Sequence, residues 1–269
     1  MGLFDIFKKT ETPKPTEPVK AVEKEVMAEP AKEPVKEGYL GDLEKTQLIA
    51  ELLLVPREQR NETWVEMLLT NIPLASFRSG NPQLIAGPDG FPYFQLLLPE
   101  SGKEFQCFVV DKMVNDFLLQ RGYGVVINPD QGQPDWILTY GDILNYHLNG
   151  VFFSTESLFS KSTNPEETVS EGEEVMVGQP SETILPKETR KLLRDFFELN
   201  GIMDPKVMLM MRKNGEEVSQ DLAFNITPEG FESEEHYRNM MQTVTWYLPR
   251  HYSVVGLHDN LAENGFMPL

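Results

Sequence analysis

One cysteine in 269 residues, Cys107, has nothing to pair with inside the chain. An internal disulfide is excluded, as is any zinc or redox motif built on two thiols, and a reducing, cytoplasmic setting is the expectation. Long apolar runs are missing as well. Leu48 to Val55 falls far short of the ~18 residues that a bilayer crossing takes. The N-terminal apolar stretch is interrupted by Asp5, stops at Phe7 and has no small-residue cleavage site, so no signal peptide is expected.

Positive charge is scarce. Lys and Arg number 24 against 42 Asp and Glu, a formal charge of −18. The first 37 residues hold seven Lys and eight acidic residues, leaving 17 basic and 34 acidic residues for the rest. No Lys/Arg cluster interrupts that acidic body, so a phosphate backbone would be repelled and nucleic acid is not an expected partner.

Motifs for chemistry are absent in the same way. Of the four histidines, His147, His236, His251 and His258, none sits in an HExxH pattern, and His251 and His258 lack metal-ligand spacing. Gly122 and Gly124 end a helix and enter a strand, the reverse of a phosphate-binding loop. No G-x-S-x-G elbow occurs. Cys107, inside FQCFVV, reads as a small apolar strand residue, with no adjacent base to activate it. No catalytic, cofactor or metal residues emerge, and no cofactor is expected.

What is present begins with a tip, MGLFDIFKK. Leu3, Phe4, Ile6 and Phe7 share one side of a short helix, with Asp5 near its start and Lys8 and Lys9 at its end. That face suits a weak peripheral membrane contact or a docking contact with protein, and Ile6 stands where a myristoylation pattern needs Ser or Thr. Residues 10–38 follow, rich in Pro, Lys and Glu, with Pro13, Pro15, Pro18, Pro30 and Pro34 among them. They bury little and read as a disordered spacer.

The body splits into two patterns. Helices are expected over Leu43 to Leu54 and Glu62 to Leu69, the latter placing Trp64, Val65, Met67, Leu68 and Leu69 for burial. Short strands are expected over Ile72 to Phe77 and Gln83 to Ala86, then FPYFQLLL (Phe91 to Leu98) as the strongest strand signal. Phe105 to Val110 reads as a strand, Asp111 as the N-cap of a helix ending at Gly122, and GVVIN and WILT as further strands before a helix over Tyr140 to Leu148. A run from Ser160 to Pro186 carries six Glu and reads as a solvated linker. Beyond it, Pro186 opens a helix, KVMLMM and Gln220 to Ile226 form a hairpin around Asn214-Gly215, Ser233 caps a helix, and Ser253 to Leu257 adds a strand.

The strand pair around VMLMMRKNGEEVSQDLAFNI, the following helix and YLPRHYSVVGLHDNLAENG resemble the C-terminal domain of the SseB family, named for enhanced serine sensitivity. The resemblance covers roughly residues 187–269. It implies a bacterial stress or accessory role and no transferable catalytic residues.

The expected fold is α+β: two small mixed α/β domains, each with a mainly antiparallel sheet and packed helices, behind a disordered N-terminal tail. The boundaries are 1–38 for tip and spacer, 39–160 for the first domain, 161–186 for the acidic linker and 187–269 for the second. Function points to a non-catalytic accessory or protein-interaction protein. A hydrolase or transferase with a spatially assembled Cys/His site and a purely structural module stay open as alternatives. Trp136, Tyr140 and Tyr146, in the aromatic-rich stretch before the acidic run, join the tip as candidate interaction residues.

Overall fold

A computed structural model describes residues 40–129, 132–154, 157–159, 174–214, 217–261 and 265–269. The tip residues Leu3, Phe4, Ile6 and Phe7, the spacer, most of the acidic run and Gly215 lie outside these. Residues 39–269 belong to one compact unit.

The first half begins with α1 (Leu43–Leu53), capped by Asp42, whose carboxylate accepts the amides of Glu44 and Lys45 at 2.9 and 3.1 Å. Helix α2 (Glu62–Asn71) is capped by Asn61. It packs on α1 through buried Trp64 and Leu68, and the Trp64 indole donates to the Leu52 carbonyl at 2.8 Å. Met67, expected inside, is 40% exposed on the far side of that face. A four-stranded sheet follows in the order β1 (Arg78–Ala86), β2 (Pro92–Leu97), β3 (Gly124–Ile127), β4 (Trp136–Leu138). The first and last pairings are antiparallel and β2–β3 is parallel.

Between β2 and β3 the chain runs through α3 (Val110–Met113), a π-helical segment (Val114–Leu118) and α4 (Leu119–Arg121). Gly122 ends this run in the left-handed region (φ 71°), and a side chain there would also strike Leu192 of the second half. Helix α5 (Tyr140–Asn149) starts with a reciprocal capping box between Thr139 and Asp142.

The second half carries β5 (Glu174–Gly178), α6 (Lys187–Leu199), the hairpin β6 (Lys206–Asn214) and β7 (Glu217–Phe224), α7 (Glu234–Trp246), β8 (Val254–Gly256) and β9 (Met267–Pro268). Its strand order is β5-β6-β7-β8, with β9 also on β6. Only β7–β8 is parallel. Thus one pattern occurs twice: an antiparallel hairpin, a helical crossover and a strand parallel to the second hairpin strand. Each half is a mixed, mainly antiparallel sheet with packed helices, the α+β class expected.

Several local expectations fail. Ile72–Leu74 is a 3-10 turn around Pro73, and β1 instead runs from Arg78 through Gly80 and Pro82. Phe105 to Val110 is not a strand: only Phe108 bridges, exchanging both backbone bonds with Phe77, and Cys107 is partly exposed with its thiol on the Leu40 carbonyl. Asp111 is not the N-cap but a first-turn residue, and Val109 precedes the helix without a side-chain cap. Strand β5 also arises inside the stretch read as acidic linker. Val175-Met176-Val177 supplies the β-forming core there, in register with Met210, Met211 and Arg212 of β6.

The two halves are welded. Trp246, from α7 of the second half, lies in the core cluster of the first and stacks on Phe91 with centroids 3.9 Å apart. Gly141, on α5, lies so close to the second half that a Cβ there would sit 1.9 Å from the Leu248 carbonyl oxygen. Gly141→Ala should therefore lower stability by ~1–3 kcal/mol through overpacking. Urea unfolding followed by tryptophan fluorescence and far-ultraviolet dichroism checks this. In the wild type the two signals should change together, because neither half keeps its core when the seam opens.

Candidate functional site

A cleft of about 700 Å³ lies where the halves meet. One wall is α7, presenting Asn239, Gln242, Thr243 and Trp246 at helical spacing; facing it are Asp89 and Phe91 from the turn before β2, with Arg250 and Tyr252 beyond. None of these contacts is readable from sequence separation.

Asp142 and Arg250 set the geometry. The Asp142 side chain is fully buried and accepts two bonds from Arg250: Nε to Oδ1 at 2.7 Å and a terminal nitrogen to Oδ2 at 2.8 Å. Oδ2 also accepts the Thr139 amide at 2.9 Å, so one carboxylate both caps α5 and clamps the second half. The guanidinium rests 4.3 Å above the centroid of the Phe153 ring, and the Asp142 hydrogen bonds hold its pKa above the ordinary arginine value.

A second chain of bonds fixes the opposite wall. The Trp246 indole donates to the Tyr93 hydroxyl at 2.9 Å, and that hydroxyl donates onward to Asp89. Burial, reinforced by Asp89, pushes the Tyr93 phenol up, so it remains a donor throughout the physiological range. Asp89 Oδ1 meanwhile accepts the Phe91 amide at 3.2 Å, closing the turn.

The hydroxyls in the cleft are spoken for. Thr139 Oγ1 accepts the Asp142 amide, while Thr243 and Thr245 donate to carbonyls of their own helix. In contrast, the side-chain amides of Asn239 and Gln242 are exposed and have no hydrogen-bond partner among the described residues. The cleft holds no nucleophile beside a base. Cys107 bonds Leu40 and His147 bonds Asn115, so the Cys/His pairing finds no support either. No group of three or more metal-binding side chains occurs among the described residues, and no described helix is long and apolar enough to cross a membrane.

The candidate interaction residues fall apart in space. Tyr140 is fully buried, its hydroxyl 2.9 Å from Thr189 Oγ1, and offers no surface. Tyr146 is partly buried and stacks on Phe152; it donates to Asp111 at 3.0 Å, and burial together with that carboxylate pushes its phenol up to about 12. Trp136 is half-buried against Trp64, with its indole nitrogen buried and unpartnered among the described residues. All three serve internal packing. The Thr139-x-x-Asp142 spacing fits a capping box and is the signal, not read along the chain, that could have marked this region, but nothing in the sequence announces Arg250 as its partner.

No family model, curated protein or solved structure matches this chain.

Removing the Asp142 carboxylate should cost ~3 kcal/mol, the low end for a broken buried pair because Arg250 can turn towards water. Thermal or urea unfolding of Asp142→Ala tests the clamp. A second expectation concerns His251, which packs against Phe159 and Tyr252 and whose pKa is lowered by burial. Its neutral form is favoured in the fold, so its contribution is present above the unfolded value of about 6.5 and is lost as pH falls towards the lower folded value. Urea midpoints of wild type and His251→Gln should converge as the pH falls from above about 6.5 towards the lower folded value.

Proposed function

We propose that this protein is a non-catalytic accessory protein whose cleft binds an extended peptide segment of a protein partner. One observation carries the reading: Asn239 and Gln242 are one helical turn apart, exposed and unpartnered among the described residues, on the wall of a cleft that ends in Trp246 and Phe91. A side-chain amide offers a donor and an acceptor in one plane, matching the C=O and N–H of a peptide group. The partly exposed Phe91 ring beside them adds apolar contact at low entropic cost. The resemblance of residues 187–269 to the SseB family is part of the proposal and supports an accessory role in a bacterial cytoplasm. The tip adds a weak, salt-sensitive contact with anionic lipid through Phe4 and Phe7.

Affinity capture with the full chain, a version beginning at Gly38, and the double substitution Asn239→Arg and Gln242→Arg tests the cleft. A partner held by the first two and lost from the third is expected, with the thermal midpoint of the third unchanged. Retention of every partner by the third would refute the cleft reading. Vesicle co-sedimentation of wild type and Phe4→Asp/Phe7→Asp separates the tip: only the wild type should pellet with anionic lipid.

A further inference from the structure

The sheet edges of this protein are treated unequally. β1 contains Pro82, which has no N–H, and its ladder with β2 shifts register between Ser79 and Leu84. β4 and β8 are three residues long. These are ordinary ways to make an edge a poor template for another strand. β5 has none of them. Its five residues pair with β6 without a register shift, contain no Pro and no Lys, and use one edge only. Val175, Met176 and Val177 are 38, 55 and 42% exposed, and their outward backbone groups bond to no described residue.

The sequence at that edge selects its occupant. Val-Met-Val reads the same in both directions. A second β5 laid antiparallel about Met176 therefore sets Val175 opposite Val177 twice and Met176 opposite Met176, with each facing pair on one side of the sheet. Glu174 falls opposite Gly178, so the register brings no two acidic positions into direct opposition. The contact is two-fold and closes on itself, using up the open edge.

We propose that β5 is a self-association edge: two copies of this chain join their second-half sheets into one continuous sheet across a two-fold axis at Met176. This surface is separate from the cleft and does not depend on the function proposed for it. A single five-residue strand pair buries less than the ~1,200 Å² of a standard stable interface, so the dimer is weak and concentration-dependent. Each partner carries a formal charge of −18. Added salt screens that repulsion and strengthens the pairing, the opposite of an interface held by ion pairs.

Sedimentation of the full chain from about 5 to 500 µM, in low and high salt, reads the association. A monomer–dimer equilibrium that tightens with salt is expected, and Met176→Lys should weaken it at least tenfold. A Cys107→Ser background carrying Met176→Cys should form a disulfide-linked dimer on mild oxidation, well ahead of the same background carrying Val218→Cys, whose site is exposed but lies on β7. A monomer at every concentration, a dimer indifferent to Met176→Lys, or equal cross-linking at the two sites would each overturn the proposal. The Met176→Cys comparison keeps the test independent of how well Met176→Lys folds.

Discussion

A carboxylate with no solvent exposure must find its countercharge or destabilise the fold, and Asp142 finds it 108 residues away in Arg250. That demand fixes more than one pair. Asp142 also caps α5, so the start of that helix, the turn at Pro249 and the end of α7 meet in one place. Trp246 then has no course but into the first-half core, where Phe91 and Tyr93 receive its ring and Tyr93 receives its N–H. Gly141 is required by the same approach, since any side chain would meet the Leu248 carbonyl. Each half alone would expose an aromatic gap and leave a buried charge unpaired.

Much of the fold was legible along the chain, and the reasons are local. Ser233 accepts a backbone amide at the start of its helix, as its short polar side chain predicts, and Asp42, Asn61 and Thr139 do the same at the starts of helices that the apolar pattern alone had marked. Phe91 to Leu98 and KVMLMM announced strands by density of β-forming residues. The errors also have local causes. In β5 three apolar residues outweigh the glutamates around them, so charge density was a poor guide. FQCFVV has the composition of a strand, but only Phe108 has a strand partner to bond, and Val110 already turns into the helix.

The cleft was illegible for a different reason. Its walls come from residues near 90, 139, 240 and 250, joined by contacts with no periodic trace. The aromatic-rich stretch drew attention to Trp136, Tyr140 and Tyr146 as surface. They turn out to spend their rings on internal packing, and the hydroxyls of both tyrosines on Thr189 and Asp111. Aromatic density marked the neighbourhood of the seam but could not separate ring faces turned inward from those left open. The repeated hairpin–helix–parallel strand pattern was hidden as well, because the two copies share an order of elements rather than a readable motif.

That repetition explains why a groove exists at all. Each half buries one set of apolar side chains between its own sheet and helices, and a few more are covered only where the other half presses on them. Two such bodies touch through Trp246, Leu248 and Gly141, and through the Asp142–Arg250 and Tyr140–Thr189 pairs. Beside that contact the helix α7 turns from apolar to polar along one face: Trp246 is committed to the seam, while Gln242 and Asn239, one and two turns back, emerge from it. The groove is thus the margin of the weld. Its floor and the amides left open beside it have a common origin in the packing that joins the halves, so a ligand held there would sit on both halves at once and would favour the welded state.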